Sequence, residues 1–296
     1  MIKPFNNWER CWMKRVEYKI YHEKGISDNT VGSKPKLYTT DEISQKSWLV
    51  ILGEPGIGKT TVLRSEYEKC KQKYKGSKDE VHFIDLRHVN TWEHFKKTLF
   101  QQDFIQRWIK QDHHLYLFID HVDDIIGEDQ EFKRDAYEYW YDSSFMEEVY
   151  GLDEKKDRHR LTIRMACRTG VWASGLTNFI EGFWWEEEEC FGVYQLLPLN
   201  QQNVIQTLTS YGVDQAAIES CLQHLQNKKI ASFVFQPEAC NMFLQLFLNG
   251  TKSLPHSKVD LYEQTCRVYC KKVDNKTAVS LLEKASEMAA MIIFSG

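Results

Sequence analysis

Trp48-Leu49-Val50-Ile51-Leu52-Gly53-Glu54-Pro55-Gly56-Ile57-Gly58-Lys59-Thr60-Thr61-Val62 runs from an apolar block through a glycine loop into helix-compatible sequence. Gly53, Gly58, Lys59 and Thr60 satisfy the G-x-x-x-x-G-K-[ST] pattern, in the strand-loop-helix context that gives the pattern meaning. Glycines let the backbone turn tightly enough for its N–H groups to surround a phosphate chain, and the following helix adds the positive end of its dipole. Glu54, Pro55, Gly56 and Ile57 complete the cradle, with Pro55 fixing one φ angle. Lys59 is expected to reach the β- and γ-phosphates, Thr60 to hold Mg²⁺ and Thr61 to touch the α-phosphate. The stretch thus predicts a nucleoside triphosphate site. A chance glycine loop before a helix is the competing explanation.

Outward from the loop, elements alternate. Residues from Lys59 to about Lys75 read as a helix, and Val81–Leu86 (VHFIDL) as a second strand. Helical material follows from Thr91 to about Lys110. Leu115–Ile119 (LYLFI) is a continuous apolar run of the kind a parallel strand covered on both faces requires. Leu161–Cys167 and the stretch from Cys190 to Leu196 supply a fourth and a fifth strand. The expectation is an α/β fold, a P-loop NTPase with a doubly wound, mainly parallel sheet, followed by an all-α domain.

The third strand ends in Asp120-His121-Val122-Asp123-Asp124. A carboxylate at the end of a buried strand, after a phosphate loop, suits Mg²⁺ held beside Thr60, which assigns Asp120. Asp123 or Asp124 could orient or deprotonate an attacking water, and both equally suit a loop or a helix cap. After the fourth strand, Arg168 could point its fixed charge at a γ-phosphate. Pairing with a surface carboxylate is the plainer role for it, and Arg164 is a rival.

The 296 residues suggest about two domains, and a net charge of -4 gives no electrostatic reason to expect nucleic acid as the main partner. The eight cysteines form no C-x-x-C pair and read as reduced and structural, consistent with a cytoplasmic location. No apolar run approaches a membrane span, and no signal-peptide core is evident. Residues 1–46 read as a lead-in, with Arg10–Ile20 compatible with a strand pair or a short helix. Domain boundaries are expected at 47–199 for the nucleotide-binding part and 200–272 for a helical part, with 273–296 starting a further helical or winged-helix region. Helices are expected at Gln201–Tyr211, Asp214–Leu225, Pro237–Leu248, Lys258–Lys272 and Thr277–Ile293, Pro237 suiting a first turn. Glu128–Tyr150 reads as helical at its ends, Gly151–Arg160 as a charged linker, and Trp184–Glu189 as an acidic loop. The histidines, His121 among them, show no ligand spacing and read as surface or packing groups.

Taken in order, these features resemble the STAND class of signalling NTPases, specifically bacterial NACHT-type ATPases. The resemblance rests on GEPGIGKTT (Gly53–Thr61), LYLFIDHVDD (Leu115–Asp124), ACRTGVW (Ala166–Trp172), YQLLPL (Tyr194–Leu199), FQPEACNMFLQLF (Phe235–Phe247) and LPHSKVDLYEQTC (Leu254–Cys266). RCWMKR (Arg10–Arg15) is similar to the lead-in of some bacterial members. The resemblance implies that Arg168 is the sensor arginine and that Pro237 packs on the adenine base. It implies ATP/ADP and Mg²⁺ as ligands, slow ATP hydrolysis, self-association in the ATP state, and a role in bacterial antiphage defence. Two departures stand out. The family often has glycine where His121 stands and glutamate where Asp124 stands, which leaves the base open. With no effector domain before it, no repeat array after it and an incomplete winged-helix region, the chain reads as an ATPase module of a longer protein, its effector and sensor parts lying elsewhere. A P-loop kinase or transferase, a non-hydrolysing nucleotide-bound scaffold, and a relative of the AAA+ loaders are the alternative readings.

Overall fold

The computed structural model describes residues 8–15, 36–87, 89, 92–99, 101–126, 159–172, 177, 190–248 and 254–270. The expected segments at Glu128–Tyr150, Trp184–Glu189 and Thr277–Ile293, and most of Gly151–Arg160, lie outside these residues. The chain divides into two units: Glu9–Leu197, and Pro198–Gly296 together with Met1–Trp8.

The first unit is a mixed α/β layer structure. Its described elements are β1 (Cys11–Lys14), β2 (Leu37–Thr39), α1 (Thr40–Ser44), β3 (Trp48–Leu52), α2 (Lys59–Lys73), β4 (Glu80–Asp85), α3 (Trp92–Leu99), α4 (Asp103–Lys110), β5 (Leu115–Asp120), α5 (Val122–Ile126), β6 (Leu161–Cys167) and β7 (Phe191–Leu196). The seven strands form one sheet in the order β2-β1-β7-β3-β6-β5-β4. β7, β3, β6, β5 and β4 are parallel, and β1 is antiparallel to both β7 and β2.

The apolar block of β3 sits at the centre of the sheet and is buried along its whole length. Alternate side chains serve two cores. Trp48, Val50 and Leu52 join Leu99, Phe104, Ile105 and Trp108 on one face. Leu49 and Ile51 join Leu63, Ile43 and Trp12 on the other. Helices cover both faces, which is why this strand reads as an unbroken apolar run. α4 shows the complementary pattern, burying Phe104, Ile105 and Trp108 while Arg107 turns outward to Glu80.

Residues 11–14 and 37–39, read from sequence as lead-in, are two antiparallel strands of the sheet, with β2 at its edge and β1 between β2 and β7. Within the stretch expected to be helical from Thr91 to Lys110, the described residues form two helices, α3 (Trp92–Leu99) and α4 (Asp103–Lys110).

In the second unit every described element is a helix: α6 (Gln201–Ser210), α7 (Gln215–Asn227), α8 (Ala231–Val234), α9 (Pro237–Leu248) and α10 (Lys258–Cys270). Asn200 and Asn203 close a reciprocal cap on α6, and Asp214 caps α7 through the Ala217 N–H. Pro237 occupies the first position of α9, where its missing N–H costs nothing. Val204, Leu208, Ile218, Cys221, Phe243 and Leu261 are central to the core of this unit. The short α8 carries too few residues to show a period in the sequence.

Candidate functional site

The glycine loop leaves the carboxyl end of β3 and enters α2. Gly58 is the N-cap of α2, in the left-handed region at φ 92°, and no side chain caps that end. The first amides of a 15-residue helix are therefore not occupied by a capping side chain. Gly56 is also left-handed, at φ 77°. Gly53 is not, and is required for a different reason. A Cβ there would come within 2.6 Å of Ile57 Cγ2 and 3.4 Å of Lys59 Cγ, so a side chain at this position would press on the Ile57 side chain.

Lys59 folds back over the loop, donating from Nζ to the carbonyls of Gly53 at 2.7 Å and Glu54 at 3.2 Å. Burial lowers its pKa, while Asp123, Cys167 and Asp120 act in the opposite direction. The lysine thus shares an electrostatic environment with the acidic end of β5 and the tip of β6. The strand order explains this convergence. β6 lies between β3 and β5, so Cys167 is in register with Leu52 and Met165 with Ile119. Three strand ends distant in sequence open onto one place.

Asp120 is almost fully buried, at 2 % exposure. Its Oδ1 accepts the His121 N–H at 3.0 Å, and its Oδ2 has no hydrogen-bond partner among the described residues. A buried carboxylate oxygen without a hydrogen-bond partner, at a strand end near Lys59, fits a hard divalent cation, and Thr60 is the second residue of α2.

Asp123 is also buried and is committed. Its Oδ2 lies 2.7 Å from Arg168 Nε and its Oδ1 accepts the Arg168 backbone N–H at 3.1 Å. The Arg168 side chain is otherwise half exposed. Asp124 is exposed, and partial burial together with the charge of Asp123 raises its pKa. That direction suits a proton acceptor.

The rival arginine, Arg164, faces the other way. It is buried, donates to the carbonyls of Ser44 (2.7 Å), Ser47 (3.2 Å) and Ile163 (3.0 Å), and lies 3.9 Å from Glu66. Ser47 precedes β3, so these bonds are at the opposite end of that strand from the loop. Pro237 belongs to the helical unit, where it is buried at the start of α9.

Two residues of this region were not singled out from sequence. Arg10 donates through Nη1 to the loop carbonyl of Ile57 (2.9 Å) and through Nη2 to Leu197 (2.7 Å), with burial lowering its pKa to about 10. It braces the phosphate loop from the residue before β1. Only the similarity of RCWMKR to family lead-ins drew attention to that segment. His121, read as a surface or packing group, instead stands between two carboxylates, 3.1 Å from Asp85 Oδ1 and 3.6 Å from Asp120 Oδ2, with its backbone left-handed at φ 60°. No spacing rule finds it, because its partners end neighbouring strands.

Among the described residues no group of three or more His, Cys, Asp or Glu has the geometry of a metal cage, and no helix is long and apolar enough to cross a membrane. Cys11, Cys70, Cys167, Cys221, Cys240 and Cys266 form no disulfide, and Cys167, Cys221 and Cys240 are buried. Burial raises the Cys221 and Cys240 thiols to about 12, as structural cysteines require.

No protein-family model matches the chain, and no curated protein matches it. Solved structures that resemble it include the S. cerevisiae Hsp104-ADP complex, with a TM-score of 0.40, 14% identity, and coverage of 95% of this chain and 37% of that one. Another is a closed state of Hsp104 with ATPγS and FITC casein, with a TM-score of 0.36, 13% identity, and coverage of 87% and 46%. The chain therefore spans less than half the length of either.

Proposed function

We propose that this chain is a nucleotide-controlled switch of the STAND type with a NACHT-like ATPase site, binding ATP with Mg²⁺ and hydrolysing it slowly. The observation that carries the reading is the gathering of Lys59, Asp120, Asp123 and Arg168 at the ends of β3, β5 and β6, beside an α2 N-terminus without a side-chain cap. In this reading the amides of Gly53 to Thr61 wrap the phosphates, and Lys59 exchanges the Gly53 and Glu54 carbonyls for phosphate oxygens. Thr60 and Asp120 hold Mg²⁺, which when bound neutralises charge on the phosphates. Asp124 takes the proton of the attacking water. Pro237 is assigned the adenine base on its sequence motif alone.

Arg168 supplies the switch. Its Nε lies 2.7 Å from Asp123 Oδ2. A γ-phosphate would draw that charge away and release Asp123, whereas a diphosphate would not. A ligand shifts a two-state equilibrium only by its differential affinity for the two states, and Arg168 is the residue here that can tell the two nucleotides apart. Self-association in the ATP state and a place in bacterial defence complete the reading, on motif similarity. The test is the ratio of ATP to ADP affinity, with oligomer size measured by light scattering. Arg168→Ala is expected to bring the two affinities together and abolish any ATP-dependent change in size. An unchanged ratio counts against the switch.

A further inference from the structure

Asp85 ends β4 directly opposite Asp120 in the parallel register of β4 and β5. The chemistry proposed above makes no use of it, yet it is paired with two arginines and lies close to the His121 ring. Arg87 forks onto it, with Nε 3.0 Å from both carboxylate oxygens, Nη2 2.6 Å from Oδ2, and its backbone N–H 3.1 Å from Oδ1. Arg64, from α2, reaches within 3.5 Å of Oδ2. The His121 ring nitrogen Nδ1 lies 3.1 Å from Asp85 Oδ1 and 3.6 Å from Asp120 Oδ2. Asp120 Oδ2 is the buried oxygen that has no hydrogen-bond partner among the described residues.

We propose that Asp85 is a positioning residue that gathers Arg87, Arg64 and the His121 ring, and thereby keeps the open oxygen of Asp120 available to the divalent cation bound with nucleotide. The inference rests on the nucleotide reading above. Its physical basis is competition between adjacent carboxylates. Neighbouring parallel strands stand about 5 Å apart, so a guanidinium released from Asp85 finds Asp120 or Asp124 as its next acceptor, and Arg87 already senses the charge of both. A charge-assisted bond from Arg87, or a hydrogen bond from the His121 ring, to Asp120 Oδ2 would fill the metal's place and set a positive or polar donor against it. Asp85 is nearer to both groups and is already forked by Arg87, which holds them away. His121 holds this ring position with its backbone in the left-handed region. Glycine adopts that φ freely, but would put no ring between the two carboxylates.

The experiment is a titration of the intact chain with a fluorescent ADP analogue, first in EDTA and then at increasing Mg²⁺, with Mn²⁺ as a second probe. Asp85→Ala is expected to leave the metal-free affinity near wild type and to raise the metal concentration for half-maximal effect by about tenfold or more, the usual cost of losing an outer partner of a metal ligand. Asp85→Glu is expected to restore most of the loss. Asp85→Ala combined with Arg87→Ala is expected to restore part of it, because the competing guanidinium is gone. Asp85→Asn, which keeps the shape of the side chain, is expected to shift the metal response in the same direction and serves if the alanine variant fails to fold. Metal curves for Asp85→Asn and Asp85→Ala that superimpose on wild type overturn the proposal. A loss of metal-free affinity equal to the loss with metal does so too, since it assigns Asp85 to folding alone. A wild-type protein that binds no nucleotide under any condition overturns the nucleotide reading itself, a result distinguishable from either.

Discussion

Gly53→Ala isolates the close packing of the phosphate loop from its backbone conformation. Gly53 lies outside the left-handed region, unlike Gly56 and Gly58, so alanine meets no φ penalty there. What it meets is Ile57 Cγ2 at 2.6 Å, well inside van der Waals contact. Ile57 is itself buried, at 4 % exposure, and its carbonyl is held by Arg10, so it has little room to retreat. Overpacking of this kind costs about 1–3 kcal/mol. In a unit of this size each kcal/mol moves Tm by about 2–4 °C, so a drop of about 2–12 °C is expected by calorimetry. Ile57→Ala removes the offending carbon, and on its own costs about 2–5 kcal/mol through the cavity it leaves. The two changes share one contact, so the double variant is expected to be more stable than the sum by about 1–3 kcal/mol. Strict additivity would refute the account of why position 53 is glycine.

Arg10→Ala is expected to cost about 1–3 kcal/mol, because the Ile57 and Leu197 carbonyls lose a charged donor; the loss is read in a urea melt. Nucleotide affinity is expected to fall with it, and a destabilised variant of unchanged affinity contradicts the bracing role. Arg164→Met and Arg168→Ala separate the two arginines. The first removes the charged partner of Glu66 and the donor to the Ser44, Ser47 and Ile163 carbonyls and is expected to destabilise by about 3–5 kcal/mol, with unchanged affinity in the folded protein, whereas the second is told apart by altered nucleotide discrimination. Arg107, bonded through two nitrogens, holds the Glu80 carboxyl down from 4.5 to about 2. A depressed carboxylate stabilises the fold above its unfolded pKa, and that contribution is lost as pH falls toward the folded value. The Tm gap between wild type and Glu80→Gln is therefore expected near neutrality and should close between about pH 4.5 and 2; a gap that persists at pH 2 counts against the pairing.

Much of the α/β unit was legible in the sequence because buried parallel strands leave continuous apolar runs. Trp48–Leu52 and Leu161–Cys167 were read with the bounds they have. Their neighbours were not legible. β6 follows β3 by more than a hundred residues yet lies beside it, and apolar runs carry no record of strand order. Cys11–Lys14 is too short to distinguish a period of two from 3.6, and its partners, Leu196 to Tyr194, lie far along the chain. At the site, the glycine loop and Asp120 were legible because local spacing encodes them. Arg168 was assigned two roles from sequence, surface pairing and phosphate sensing. It is paired, but with the buried carboxylate of Asp123 rather than one on the surface, and the second is the subject of the proposed affinity test. Arg10 and Asp85 escaped because their roles depend on carbonyls and carboxylates brought near by the fold.

The most direct test of the central claim is calorimetric titration of the intact chain with ATP and ADP in the presence of Mg²⁺, beside Lys59→Ala. The account predicts saturable binding of about one nucleotide per chain that is lost in the variant while its fold and thermal transition persist. Equal affinity in the two proteins would contradict it, because it would place the phosphates away from the loop that begins at Gly53.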